Sequence, residues 1–227
     1  MPVSSPVCSI CGGTTFIASL AGRIAKNGQP PKCASCGGLE RHRIVRRIFD
    51  ALPDELLNEK NALQFSDDPG VPKDRLGQID ISVFGSDNSL NIMDIARPNS
   101  HYDWAIANHV LEHVADDISA LKELLRIIKP DGLVQFTVPT PSSQLWTEDW
   151  GYADPEAYEH FRGYGSDLPL RLGAAIEDAG GVQVIGWDTV ITARWDVVYF
   201  FSPSRERISE LATILRKAGF PVLAATR

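Results

Sequence analysis

The 227-residue sequence predicts an α/β fold, a mostly parallel sheet with crossover helices and an antiparallel last strand, preceded by a small N-terminal cysteine module. Three observations predict it. From residue 61 onward, short apolar runs alternate with helical stripes, the pattern of strands joined by crossover helices. Near the end, "TARW" is too short to hold such a helix, so the strands flanking it pair as an antiparallel hairpin. All four cysteines lie in the first 36 residues, inside a doubled "CxxCGG".

The module comes first, over residues 1–38. Cys8-x-x-Cys11 is followed after twenty-one residues by Cys33-x-x-Cys36. A C-x-x-C turn presents two thiolates from one tight loop, so two such turns supply the four soft ligands of a tetrahedral zinc ion and leave no open position. The expected role is structural. Glycine pairs after each second cysteine let the chain turn sharply under the metal. Two disulfides and a redox C-x-x-C are the competing readings, disfavoured by compartment and by the duplication.

Residues 39–60 are expected to form a linking basic helix. In "LERHRIVRRIFDAL" (39–52), Ile44, Val45, Ile48, Phe49 and Leu52 form an apolar stripe, and Arg41, His42, Arg43, Arg46 and Arg47 take the other face. That face reads as solvated charge, or as a surface for an anionic group of a substrate or nucleic acid.

The main domain spans 61–203, with a C-terminal helix in 204–227. Strands are expected at 62–66, 89–95 and 102–110, and 79–85 reads as a strand or an extended segment. The stretch 116–129 carries Ile118, Leu121, Leu124, Leu125 and Ile128 on one face, with Asp116 or Asp117 as cap, and reads as a helix. "PDG" (130–132) is a turn into a strand at 133–139. A polar, aromatic loop at 146–165 looks like a lid. A helix at 167–181, strands at 182–188 and 196–203, and a helix at 205–219 complete the chain.

Residues 1–60 carry eight Lys/Arg against five Asp/Glu, whereas the rest carries a net charge of −10. An acidic body is a poor polyanion binder, which argues against nucleic acid as a general partner. No run of about 18 apolar residues exists for a membrane span, and the N-terminus lacks signal-peptide regions, so a cytoplasmic protein without a membrane partner is expected.

"YDWAIANHVLEHVADDISALKELLRIIKPDGLVQFTVP" (102–139) resembles the central block of class I S-adenosylmethionine-dependent methyltransferases, type 11-like. The four-cysteine module running into "CGGLERHR" is similar to a zinc-ribbon-bearing subgroup of them, and "HFRGYGSDLPLRL…AG" to the segment after their fifth strand. The resemblance implies a Rossmann-like sheet and S-adenosylmethionine as cofactor. It places Asp94 on the adenine amino group, the backbone of Ile95 near the ring, and Asn108, His109 and Val110 on the methionine part.

One stretch departs from that pattern. Family members carry an acidic, glycine-rich turn after the first strand, because glycine lets the backbone approach the ligand. Here the turn is Ser66-Asp67-Asp68-Pro69-Gly70, with one glycine. Either Ser66, Asp67 and Asp68 replace the glycine turn, or the site has decayed and the chain is a non-catalytic zinc-ribbon module for a protein or nucleic acid. The acidic pair favours the first reading, since carboxylates suit a sulfonium and an ammonium. On the acceptor side, His160 is the expected base, with Arg162 and Tyr164 beside it and His109 as a further candidate. Glu112 is expected to orient its turn and His113 to be structural. The lid's Trp and Tyr residues suggest a small-molecule or carbohydrate-like acceptor.

Overall fold

The structure, a computed structural model, describes residues 6–139, 142–173, 176 and 178–225. In the N-terminal module, strands β1 (Phe16–Ile17) and β2 (Lys32–Cys33) pair antiparallel. Its two knuckles repeat one geometry. Gly12 N–H donates to the Cys8 carbonyl and Gly37 N–H to the Cys33 carbonyl, each at 2.9 Å. Both glycines sit in the left-handed region, at φ 75° and 72°.

Helix α1 (Glu40–Asp50) then buries Ile44, Val45, Ile48 and Phe49. Strands β3 (Ala62–Phe65), β4 (Ile79–Ser82) and β5 (Tyr102–Asn108) follow, then helix α2 (Asp117–Ile127) and strand β6 (Ile128–Thr137). Asp116 caps α2 by accepting from Ser119 N–H at 2.9 Å. Beyond lie β7 (Glu148–Asp154), β8 (His160–Gly163), α3 (Leu168–Gly173), β9 (Gly180–Trp187), β10 (Trp195–Ser202), α4 (Arg205–Lys217) and β11 (Val222–Ala224). The expected helix at 167–181 runs partly through residues outside the described set.

Seven strands form one mixed sheet in the order β11-β9-β10-β6-β5-β3-β4. β4, β3, β5 and β6 are parallel neighbours, and β10 lies antiparallel between β6 and β9, as the hairpin expectation required. One face packs under α1 and α4 around Trp104, Ile106, Val184 and Phe200. The other packs under α2 and α3 around Leu121, Leu124, Phe136 and Leu168. Burying both faces explains why β5 reads as a near-continuous apolar run.

Four local expectations are corrected. The stretch 89–95 is not a strand. Asn91 Oδ1 accepts from Met93 N–H at 3.0 Å and the Asn91 carbonyl from Asp94 N–H at 3.1 Å, a side-chain turn that competes with extension. Its Ile92 and Ile95 are buried in the α2-side core instead. The "PDG" turn is an excursion inside β6, where the register to β5 shifts between Tyr102 and Trp104. The lid loop is a hairpin, β7 with β8, whose exposed β7 carries no alternation to signal a strand. β11 was not expected; three residues on a sheet edge are too short for periodicity to register.

Candidate active site

Adjacent strands β3 and β5 are left by the chain in opposite directions, β3 leading to β4 and β5 to β6. Their carboxyl ends therefore flank a crevice, the place where open α/β sheets bind ligands. Phe65 pairs with Ala107, so the residues just beyond face one another across it. Both chains leave through the left-handed region, Ser66 at φ 64° and His109 at φ 53°. Such conformations in non-glycine residues gather at functional sites.

The lone glycine of the first turn has a different job from the one expected. No helix follows β3; residues 66–78 return to β4 without one. There is thus no helix N-terminus to bring up to a ligand, and with it goes one reason for a glycine-rich turn. Gly70 instead packs on α1, where an added Cβ would lie 2.4 Å from the His42 carbonyl oxygen. Asp68 is buried and its Oδ1 accepts from Gly70 N–H at 2.6 Å. Asp67 is exposed and pairs with Lys73, and Ser66 is exposed beside it.

At the end of β5, Asn108 is committed within the sheet. Its Oδ1 accepts from Gln135 Nε2 at 2.7 Å and from Thr137 Oγ1 at 3.0 Å. His109 is half-buried, with Nδ1 3.3 Å from Glu112 Oε1 and a buried Nε2 that has no hydrogen-bond partner. Glu112 is 1% exposed, and neither carboxylate oxygen accepts a hydrogen bond. His113, on the same turn, meets His160 edge to face, ring centroids 4.6 Å apart. Burial pulls the His160 imidazole below its usual range, with Glu112 opposing, so the ring is neutral near neutral pH. Val110 is half-buried, and its carbonyl accepts from His113 N–H at 3.0 Å.

Arg162, expected at the chemistry, has its guanidinium occupied. Nε donates to Asp149 at 2.9 Å, Nη1 to the Leu111 and Val114 carbonyls at 3.1 and 2.7 Å, and Nη2 to the Ala115 carbonyl at 2.7 Å. These bonds hold the turn bearing Glu112 and His113 against β8, which carries His160. Tyr164 adds a hydroxyl bond to Asp117 at 2.8 Å, and Arg171 grips the same carboxylate.

Asp94 is exposed, while Ile95 is buried with its N–H on Glu123 at 2.7 Å and its carbonyl on Arg126 at 2.8 Å. The arginines of α1 divide. Arg43 is fully buried on Asp188; Arg46 pairs with Asp50; Arg47 stacks over Trp187 and Phe220. The expected solvated or anion-binding face fails at Arg43, because the stripe rotates it into the junction between the module and the sheet. Arg41 alone turns to a small cleft beside His109, which Arg23, Glu40, Arg194 and Asp196 also line. Burial pushes the Asp196 carboxyl up.

The four cysteines are free thiols whose sulfurs all lie within 4.8 Å of one another. Cys8 and Cys36 Sγ are 3.8 Å apart and Cys11 and Cys33 Sγ 3.6 Å. A tetrahedron with zinc–sulfur bonds of about 2.3 Å has edges of about 3.8 Å. The geometry is compatible with zinc.

A family model described as a methyltransferase domain matches residues 11–168. The chain belongs to the methyltransferase-domain family. The resemblance to class I S-adenosylmethionine-dependent methyltransferases read in the sequence agrees with that match. No curated protein matches by sequence. Among solved structures, the chain is similar to a candidate sarcosine dimethylglycine methyltransferase from Galdieria sulphuraria, at 15% identity, 54% of each chain covered and a TM-score of 0.39. It thus spans about half of that chain's length. It is also similar to a SAM-dependent methyltransferase from Aquifex aeolicus, at 14% identity, 69% and 88% covered, TM-score 0.43. A third is the Burkholderia thailandensis 1,6-didemethyltoxoflavin-N1-methyltransferase with bound 1,6-didemethyltoxoflavin and S-adenosylhomocysteine, at 12% identity, 69% and 78% covered, TM-score 0.48.

Sequence reasoning set Glu112 and His113 aside as structural, and it gave no role to Asp196. Forty-six residues separate His160 from His113, so no local spacing announced the cluster. No helix among the described residues is long and apolar enough to cross a membrane.

Proposed function

We propose that the chain transfers a methyl group from S-adenosylmethionine to a small-molecule or carbohydrate-like acceptor, with the cofactor in the crevice between β3 and β5. The same reading puts a structural zinc ion on Cys8, Cys11, Cys33 and Cys36. The observation that carries it is the crevice itself, flanked by the left-handed Ser66 and His109, with His109 Nε2 and both Glu112 carboxylate oxygens buried there without a hydrogen-bond partner. A cationic ligand suits those acceptors, and the cofactor supplies an electrophilic methyl on a sulfonium.

The chain's own residues then position and deprotonate. Ser66, Asp67 and Asp68 border the crevice on the β3 side, with Asp68 held rigid by its own turn. Asp94 is assigned to the adenine amino group and Ile95 to the ring. Asn108 fixes the end of β5, from which His109 and Val110 face the methionine part. His160 and His109 are the candidate bases, each able to take a proton while neutral. Arg162 is a positioning residue, because its bonds to the Leu111, Val114 and Ala115 carbonyls hold the Glu112 turn to β8. Arg41 and Arg194 beside His109 favour an acceptor with an acidic group, and exposed Trp146, Tyr152 and Tyr158 offer faces for a sugar ring.

Calorimetry with S-adenosylhomocysteine tests the reading on protein that retains one zinc per chain. The expected result is one micromolar site, weakened by Asp94→Ala. Absence of binding to folded, zinc-loaded protein contradicts it.

A further inference from the structure

Glu112 poses a problem that methyl transfer alone leaves open. A carboxylate held at 1% exposure with no donor on either oxygen is costly, and such groups in proteins are paired with a cation or neutralised. Arg162 bonds the adjacent Leu111 carbonyl, yet its remaining bonds go to Asp149 and to the Val114 and Ala115 carbonyls, none to Glu112. His109 approaches at 3.3 Å through Nδ1 without satisfying either oxygen.

What does converge on Glu112 is a pair of imidazoles. One ligand atom from each of Glu112, His113 and His160 lies within 4.8 Å of the others. The three differ in burial in a way that suits an open centre: Glu112 is buried, His160 half-buried and His113 exposed. Two elements far apart in sequence build the group, and Arg162 fastens them together from a position two residues beyond His160. Its bonds to the Val114 and Ala115 carbonyls fix the turn that presents His113.

We propose that Glu112, His113 and His160 bind a first-row divalent metal ion, in a centre separate from the cysteine site and open to solvent on one side. Two imidazoles and one carboxylate select a transition ion over magnesium or calcium, and three protein ligands leave positions free. The four-cysteine shell has none free, so the two centres differ in both ligand softness and access. His109 lies against the carboxylate, its Nδ1 3.3 Å from Glu112 Oε1. An ion here would lower the pKa of a bound acceptor hydroxyl. That last role rests on the methyl-transfer reading, whereas ion binding does not.

The test is manganese titration of the zinc-loaded full chain, followed by the loss of the free Mn2+ electron paramagnetic resonance signal. Thiolate-bound zinc resists exchange with manganese, so the ribbon stays silent. One Mn2+ per chain is expected for the native protein, with affinity lower by about tenfold or more in Glu112→Gln and in His113→Ala. His113 is exposed, so His113→Ala keeps the fold even if the buried change does not. Without metal, Glu112→Gln should melt no lower than the native protein, because the buried carboxyl it replaces accepts no hydrogen bond, and it should lose the rise in Tm that Mn2+ gives the native chain. An undiminished free-Mn2+ signal overturns the proposal, as does native-like binding by both variants. S-adenosylhomocysteine calorimetry on the same samples reports the cofactor site independently, so failure of one reading is distinguishable from failure of the other.

Discussion

Replacing Arg43 with alanine should destabilise this protein far more than replacing its helix neighbour Arg46. The guanidinium is 1% exposed and makes four bonds: Nε and Nη2 to the two Asp188 oxygens at 3.0 and 2.8 Å, Nη1 to the Gly38 carbonyl at 3.0 Å, and Nη2 to the Pro31 carbonyl at 3.0 Å. Pro31 and Gly38 belong to the cysteine module and Asp188 follows β9, so one side chain ties module to sheet. Breaking a buried pair by removing one partner costs about 3–5 kcal/mol. Asp188 keeps donors from Val190 N, Thr192 N and Thr192 Oγ1 at 3.1, 3.2 and 2.8 Å, which places the expected loss at the low end, about 3 kcal/mol. For a chain of this length that is a fall in Tm of about 6–12 °C. Arg46→Ala, which removes the i,i+4 pair with Asp50 and a longer one with exposed Asp74, should cost about 0.5 kcal/mol or less. Urea unfolding of the zinc-loaded proteins measures both. A second arm uses pH: burial alone would raise the Asp188 carboxyl, but the bonds and charge of Arg43 outweigh it and hold it below the usual range. Such a group adds stability above the unfolded carboxyl pKa of about 3.9 and loses it as pH falls further, so the gap between native protein and Arg43→Ala should narrow there. A loss below about 1 kcal/mol for Arg43→Ala would refute the assignment of Arg43 as the junction.

His42 supplies a second prediction. Burial pulls its imidazole down from 6.5 to about 4, and Nδ1 accepts from Leu39 N–H at 3.1 Å. Between those pH values the unfolded chain binds a proton that the folded one refuses, so stability falls as pH drops from 6.5 towards 4, by about 3 kcal/mol in all. His42→Asn keeps an acceptor near Nδ1 and should lack that slope in pH-dependent urea unfolding; parallel curves would contradict the assignment. Gly70→Ala should force its turn off α1, since its Cβ would stand 2.4 Å from the His42 carbonyl oxygen. A cost of about 1–3 kcal/mol is expected, with weaker S-adenosylhomocysteine binding through the displaced residues 66–68. Unchanged stability and affinity would show that this turn does not shape the crevice.

The sequence made the sheet legible where periodicity is long and both faces are buried. β5, α2 and the β9–β10 hairpin were each expected within a residue or two, because buried strands and a capped amphipathic helix write their pattern locally. The failures have local causes too. Asn91 turns a stretch whose apolar residues otherwise read as a strand. Arg43 reads as one more charge in a basic run, and only its distant partner Asp188 makes it a buried anchor. The candidate site was half legible: His109 and His160 were picked out by chemistry and context, while Glu112 and His113 were passed over because their meaning depends on β8. The missing glycines of the first turn became intelligible only when the structure placed no helix after β3 and set Gly70 against α1.

The most direct measurement is a crystal structure of the zinc-loaded protein with S-adenosylhomocysteine. The account predicts the ligand between residues 66–68 and 108–110, with its sulfur facing His109 and the Glu112, His113, His160 cluster. Ligand bound elsewhere on the sheet, or a crevice left empty at saturating concentration, would contradict it.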